Sequence, residues 1–411
     1  MGKVFFLPLA DTSVRPLSAG KDSVFFAELF KNNPGKFDSI GLHRIGWNVQ
    51  VIYTQIIVGN NTAPAFQQYY YNKNDSRYFY PASAINLPVA ALALQKLNEL
   101  NLPFVNINAT MVTEAGYAGQ TAQYNDPNTA DGRPSIAHYI KEMLMVGDEN
   151  AFNRLYEFLG QEYINKELNK KGYFSAQVLN RMGVDLDDDA NRRTNPVRFY
   201  AGPREILYNQ PMQVNIAKYE QRNDFIGKGY YADTSFINEP MNFSSKNRIS
   251  LDDLNNILIS LVFPEKVKST QRFNITEADR RFLLKYMSQF PRESIYPSYD
   301  SSYNDAYGKY ILFGAQDSIA PNIRIFNQVG SAYGQLTDIA YVVDFEKKIA
   351  FMVAATIYCN SDEILDDDKY DYDTIGFPFM KALGRALYDY ELKRKRINLP
   401  DLSPMIFHYD K

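Results

Sequence analysis

Apolar and β-branched residues crowd the stretch 47–57, where Val49, Val51, Ile52, Tyr53, Ile56 and Ile57 form an alternating run. Gly59-Asn60-Asn61 interrupts it before 66–71 resumes the pattern. Two such runs around a Gly/Asn break predict a β-hairpin. Far downstream, 322–329, 338–345 and 348–358 read as three more strands, mostly antiparallel, divided by Gly330, Gly334 and the charged turn Glu346-Lys347-Lys348. Between the two clusters apolar residues recur at steps of three and four over 90–100, 136–146, 151–159, 251–261 and 278–289, the period of amphipathic helices. A last helix is predicted over 377–395, ending basic where the helix dipole favours cations. Strands at both chain ends therefore frame a long helical insertion. The expected fold class is α/β (α+β): an antiparallel sheet of about five strands flanked by helices, beside a mainly helical lobe. In domain terms, 25–82 and 310–396 form a discontinuous sheet domain, 83–309 the lobe, and 1–24 and 397–411 terminal extensions.

A chain of 411 residues with 45% hydrophobic and 22% charged residues can bury a sizeable core, and it lacks the composition of a disordered protein. Its 44 basic and 47 acidic residues nearly balance, and the basic ones are scattered apart from Lys393-Arg394-Lys395-Arg396, so no nucleic-acid partner is expected. Cys359, the one cysteine, lies in an apolar run, which excludes an intramolecular disulfide and a thiolate metal site. No metal and no cofactor is expected. Nowhere does the chain approach the roughly 18–20 consecutive apolar residues of a transmembrane helix. Met1-Gly2-Lys3 and the short apolar run 4–10 fall short of a secretory signal, and Met1-Gly2 reads as a cloning remnant. The 31 Tyr and 27 Phe residues suit a core, a sugar-binding surface or a ligand cleft.

Tyr80-Pro81-Ala82-Ser83 places a serine where the first strand pair hands over to a helix. There Ser83 is either an N-cap or a nucleophile whose own N–H and helix dipole stabilise a developing oxyanion. Two other segments bear on the choice: Gly147-Asp148-Glu149, followed by Asn150-Ala151-Phe152-Asn153, and Gln328-Val329-Gly330-Ser331, followed by Ala332-Tyr333-Gly334 and then Asp338-Ile339-Ala340. In order, spacing and flanks these three segments resemble the S-x-x-K, S-D-N and K-T-G elements of class A β-lactamases and penicillin-binding proteins. More narrowly, the chain resembles a β-lactamase-like serine hydrolase family of Bacteroidetes-type bacteria from about 25 to 393, which implies the β-lactamase/transpeptidase fold.

The resemblance places catalytic positions at Ser83, Asn86, Gly147, Asp148 and Glu149 and substrate-binding positions at Gln328, Val329, Gly330 and Ser331. Only Ser83, Asp148 and Gly330 keep the family's residue. Asn86 stands for the lysine of S-x-x-K, Gly147 and Glu149 for the serine and asparagine of S-D-N, and Gln328 for the lysine of K-T-G. An amide at position 86 cannot take the serine proton, a loss worth roughly 10²–10⁴-fold. Glycine at 147 cannot relay a proton, and neutral Gln328 cannot attract a substrate carboxylate, which Glu149 would repel. The backbone N–H groups of Ser83 and, by the family's geometry, Ser331 remain as an oxyanion hole.

The family's deacylating water implies a carboxylate near 185–196, where Asp187, Asp188 or Asp189 stands in, or the run is a solvated acidic turn. His138, on the helix before the second motif, reads as packing or surface. The run 366–373 matches no EF-hand loop and reads as an exposed turn. What the resemblance implies, then, is a catalytically impaired serine hydrolase homologue binding a β-lactam-like small molecule, a cell-wall peptide, a glycan or a protein partner in the old cleft. The alternative is an active, divergent β-lactamase, peptidase or esterase acylated at Ser83, with Glu149 or a nearby tyrosine replacing the lysine. By resemblance its location is periplasmic, secreted or lipid-anchored.

Overall fold

The computed structural model describes residues 22–60, 64–202, 205–315 and 318–411. The N-terminal run from Met1 to residue 10 and the turn residue Asn61 lie outside them. Five strands make one antiparallel sheet: β1 (Gln50–Ile57), β2 (Ala65–Tyr71), β3 (Ile323–Ala332), β4 (Gln335–Asp344) and β5 (Ile349–Tyr358), in the spatial order β3-β4-β5-β1-β2. The early hairpin joins the late strands where β1 meets β5, with Gln50 opposite Thr356 and Tyr53 opposite Val353. β4 and β5 are buried along their whole length, which is why they read as near-continuous apolar runs.

Six of the helices frame the sheet and the lobe: α1 (Asn86–Leu100), α2 (Ile136–Val146), α3 (Glu149–Leu159), α4 (Leu251–Val262), α5 (Glu277–Ser288) and α6 (Phe377–Lys393). Alternate residues of β1 enter different cores. Val51 and Tyr53 pack in a cluster with Leu383 and Leu387 of α6, while Ile52 packs in a cluster with Leu254 and Leu258 of α4. The sheet is thus covered on both faces, by α6 on one and by the helical lobe on the other. Helix starts follow side-chain chemistry: Ser135, Ser250 and Thr276 each accept an N–H from the first turn of α2, α4 and α5. α1 begins earlier than its periodicity suggests because residues 86–95 are all buried, so no polar face marks its first turns. Among the described residues no helix is long and apolar enough to cross a membrane.

Two features differ from the sequence reading. β3 does not stop before Gly330 but runs through it to Ala332, and the chain reverses at Tyr333-Gly334, whose φ values of 52° and 73° make a two-residue turn of the primed type. The lobe also contains strands: Thr110–Thr113, Val197–Ala201 and Glu205–Gln210 form a small antiparallel sheet, each too short to leave a firm period-two signal. The chain after α6 turns back onto the lobe and buries Leu402 and Met405.

Candidate active site

Ser83 lies in a single 3₁₀ turn, Ala82–Ile85, that leads into α1. The chain reverses sharply just before it, with Ala82 at φ 44°, a left-handed conformation that a residue with a side chain adopts at a cost. The turn closes through a hydrogen bond from the Ala84 N–H to the Pro81 carbonyl at 3.0 Å. That carbonyl sits against the bare Cα of Gly330: a Cβ at Gly330 would meet the Pro81 oxygen at 2.0 Å and the Ala84 nitrogen at 2.9 Å. Glycine in the middle of β3 therefore makes room for the serine turn. The Ser83 hydroxyl does not cap α1. It donates to the Gly147 carbonyl at 3.4 Å.

Gly147 ends α2 in the left-handed region, at φ 75°, and a Cβ built on it would lie 3.3 Å from Ser83 Oγ. The position is beside the serine, and its backbone favours glycine. Asp148 caps α3, its carboxylate accepting the Ala151 N–H at 2.7 Å. Glu149 opens α3 and is exposed along its flank, yet its carboxylate crowds Gly183, where a Cβ would fall 1.9 Å from Oε2. Desolvation, and after it the Asp148 charge, holds the Glu149 carboxyl above the usual range.

Asn86 and Gln328 serve as straps. Asn86, fully buried, donates from Nδ2 to the Met143 carbonyl at 3.1 Å, the same carbonyl that receives the Gly147 N–H. It ties the start of α1 to the end of α2. Gln328, also buried, donates from Nε2 to the Ser83 carbonyl at 3.0 Å and so ties β3 to the serine turn. Each keeps a buried side-chain oxygen with no hydrogen-bond partner among the described residues: Asn86 Oδ1 and Gln328 Oε1. Val329 packs partly buried beside the α6 face of the sheet. Ser331 is exposed, and its hydroxyl receives the Tyr310 O–H at 3.4 Å. Because the two-residue turn makes Ala332 and Gln335 a hydrogen-bonded pair, the next pair, Ser331 and Leu336, is of the open kind, and the Ser331 N–H points off the free edge of β3.

The structure thus brings Ser83, Asn86, Gly147, Gln328 and Gly330 into contact around one turn, with Glu149 and Ser331 at its margins. A backbone carbonyl is the hydroxyl's partner, and a carbonyl cannot take its proton. Beside the turn stands an aromatic wall that the sequence reading did not single out. Tyr80 and Phe243 both pack edge-on against Tyr333, at 5.3 Å and 5.1 Å between ring centroids. Tyr80 and Tyr333 directly flank the motif segments, so their position was the available signal. Burial pushes both phenols up, Tyr333 to about 12; Tyr333 and then Glu149 add to the shift at Tyr80, and Asp366 and then Glu149 to that at Tyr333. At neutral pH these hydroxyls are hydrogen-bond donors, not bases.

Two carboxylates of the acidic run 185–189 have structural partners. Asp187 caps the short helix Asp188–Asn191 through the Ala190 N–H at 2.7 Å, and exposed Asp189 pairs with Arg193 at 3.0 Å. The loop meets the site through Gly183 beside Glu149 instead, and it is anchored by a buried pair between Arg181 Nη2 and Glu157 Oε2 at 2.9 Å. The run 366–373 gathers no group of three potential ligands among the described residues.

Residues 50–208 match the family model Beta-lactamase2, the beta-lactamase enzyme family. The resemblance to β-lactamase-type serine hydrolases therefore holds over the segment that contains Ser83, Asn86, Gly147, Asp148 and Glu149. No curated protein matches the chain. Among solved structures, a beta-lactamase from Burkholderia phymatum is 13% identical, covering 88% of this chain and 99% of that one with a TM-score of 0.48. A beta-lactamase from Desulfarculus baarsii is 10% identical over 90% of this chain and 99% of that one, also at 0.48. A mutant of PBP-A, an acyl-enzyme complex with penicillin G, is 13% identical over 86% and 94%, at 0.45.

Proposed function

We propose that this chain is a β-lactamase-like serine hydrolase homologue that binds a ligand in the Ser83 cleft without turning it over. The observation that carries this reading is the use of the two expected lysine positions: Asn86 and Gln328 spend their amide N–H groups on the Met143 and Ser83 carbonyls, so neither is a base or a free cation. General-base and carboxylate-binding functions are lost together, while the turn, its N–H groups and the strand edge persist. Neutral phenol donors and the Glu149 carboxylate suit a hydroxyl- or amine-bearing ligand better than an anionic β-lactam. A cell-wall glycan or peptide stem fits that description and accords with a periplasmic, secreted or lipid-anchored protein.

Intact-mass spectrometry after incubation with benzylpenicillin, and separately with a fluorophosphonate, tests the reading. The expected result is unmodified protein, together with saturable chemical-shift changes at Tyr333 and Ser331 on adding soluble muropeptides. Stoichiometric acylation that disappears in Ser83→Ala would show an active hydrolase instead.

A further inference from the structure

On α2, upstream of Gly147, three ionisable side chains meet inside the lobe. His138 is 5% exposed, Glu142 7% and Asp126 3%, the last arriving on the loop that precedes the helix. His138 Nε2 lies 3.3 Å from Glu142 Oε1 and 3.5 Å from Asp126 Oδ2, and one donor atom from each residue falls within 4.8 Å of the others. His138 and Glu142 face the same way because they are four apart on one helix. Despite the short approach, neither contact has hydrogen-bond geometry: Nε2 is buried with no hydrogen-bond partner among the described residues. A nitrogen enclosed by two carboxylates and bonded to neither calls for something between them.

We propose that Asp126, His138 and Glu142 form a binding site for a first-row divalent metal ion of the zinc type. A tetrahedral zinc ion with bonds of about 2.0–2.1 Å separates neighbouring donors by roughly 3.3–3.4 Å, which is the spacing of Nε2 from the two carboxylates. One imidazole nitrogen among the donors favours zinc over calcium or magnesium, which prefer all-oxygen sets. Asn128 orients both carboxylates: its N–H donates to Asp126 Oδ1 at 3.0 Å, and its Nδ2 donates at 3.2 Å to Glu142 Oε1, the oxygen that also faces His138. Such outer contacts hold ligands in place for an ion. The Tyr139 hydroxyl, next to His138 in the chain, is likewise buried without a hydrogen-bond partner among the described residues. The expectation of no metal rested on the single cysteine, on His138 read as packing or surface, and on the lack of an EF-hand loop. This cluster uses histidine and carboxylates drawn from a loop and a helix, a combination that linear spacing does not reveal. An ion here would pin that loop to α2, whose last turn supplies the Met143 and Gly147 carbonyls of the Ser83 cleft. The inference does not depend on any chemistry at Ser83.

The test is a zinc titration of the full chain, stripped with a chelator and then competed against a chromophoric zinc indicator. One zinc per chain is expected, with affinity lowered at least about 100-fold in His138→Gln and at least about 10-fold in Glu142→Gln, since even outer-shell changes cost 10–100-fold at metal sites. Zinc-edge anomalous density between the three side chains in crystals of the native protein is the second expectation, and it decides the matter if the variants fail to fold. No stoichiometric zinc, unchanged affinity in both folded variants, or a native crystal grown with zinc and lacking the anomalous peak would overturn the proposal.

Discussion

Gly330 illustrates what a single residue does in this site. Its missing side chain lets the Pro81 carbonyl approach β3, and that approach sets the turn on which Ser83 stands. Gly330→Ala would place a methyl group 2.0 Å from a backbone oxygen, and neither strand nor turn can yield without losing its hydrogen bonds. A destabilisation of about 3 kcal/mol or more is expected from overpacking of this kind, read as a lower urea midpoint. A change under about 0.5 kcal/mol would contradict the close approach. Motif positions were legible at this scale because their flanks survive, as Tyr80 before the turn and Tyr333-Gly334 after β3 show. The roles of Asn86 and Gln328 were not legible. Their partners lie 57 and 245 residues away in sequence, so only the folded chain shows that these two amides act as fasteners.

At the level of elements, α4 carries a titratable group whose energetics can be isolated. Asp253, in its first turn, accepts the Ser175 N–H at 3.0 Å and the Ser175 hydroxyl at 2.5 Å. Burial nevertheless outweighs those bonds and raises its pKa to about 6 from an ordinary 3.8. Between those two values the folded chain holds a proton that the unfolded chain releases. Stability contributed by this group therefore falls as pH rises through the window, and the charged carboxylate is a net penalty above it. Asp253→Asn, which keeps an oxygen for Ser175, should stabilise the protein at pH 8 by about 1–3 kcal/mol and change little near pH 4, because each tenfold change in proton affinity is worth about 1.4 kcal/mol. Urea unfolding of both proteins at the two pH values checks this, and an equal effect at both would remove Asp253 as the cause. The elements themselves were mostly readable: 136–146 and 251–261 agree with α2 and α4 to within a residue because one face of each is apolar. The short lobe strands were not, since pairing across the loop segments, not local pattern, makes them strands.

Across the whole molecule, strands from the two ends of the chain meet in one sheet, and the segment after α6 fastens the lobe to it. Phe407 lies under the Arg281 guanidinium of α5, 4.5 Å from ring centroid to Cζ, and the Tyr409 ring lies 4.2 Å from that of Arg324 on β3. Asp410 joins Lys285 of α5 at 2.8 Å and Lys141 of α2 at 3.3 Å. Leu402 and Met405 enter the core shared by the lobe and the sheet. This proline-bearing tail gave no periodic signal, because its contacts are made residue by residue with three different elements. Truncation after Arg396 should therefore weaken the lobe and not merely shorten the chain. Burying two such side chains is worth about 3–6 kcal/mol, while the partly exposed ion pairs add little. The truncated protein is expected to unfold at a clearly lower urea concentration, and amide exchange should accelerate in α5 and in the adjoining end of α2 while β1 and β2 keep their protection. Unchanged exchange in α5 would mean that the tail rests on the lobe without holding it.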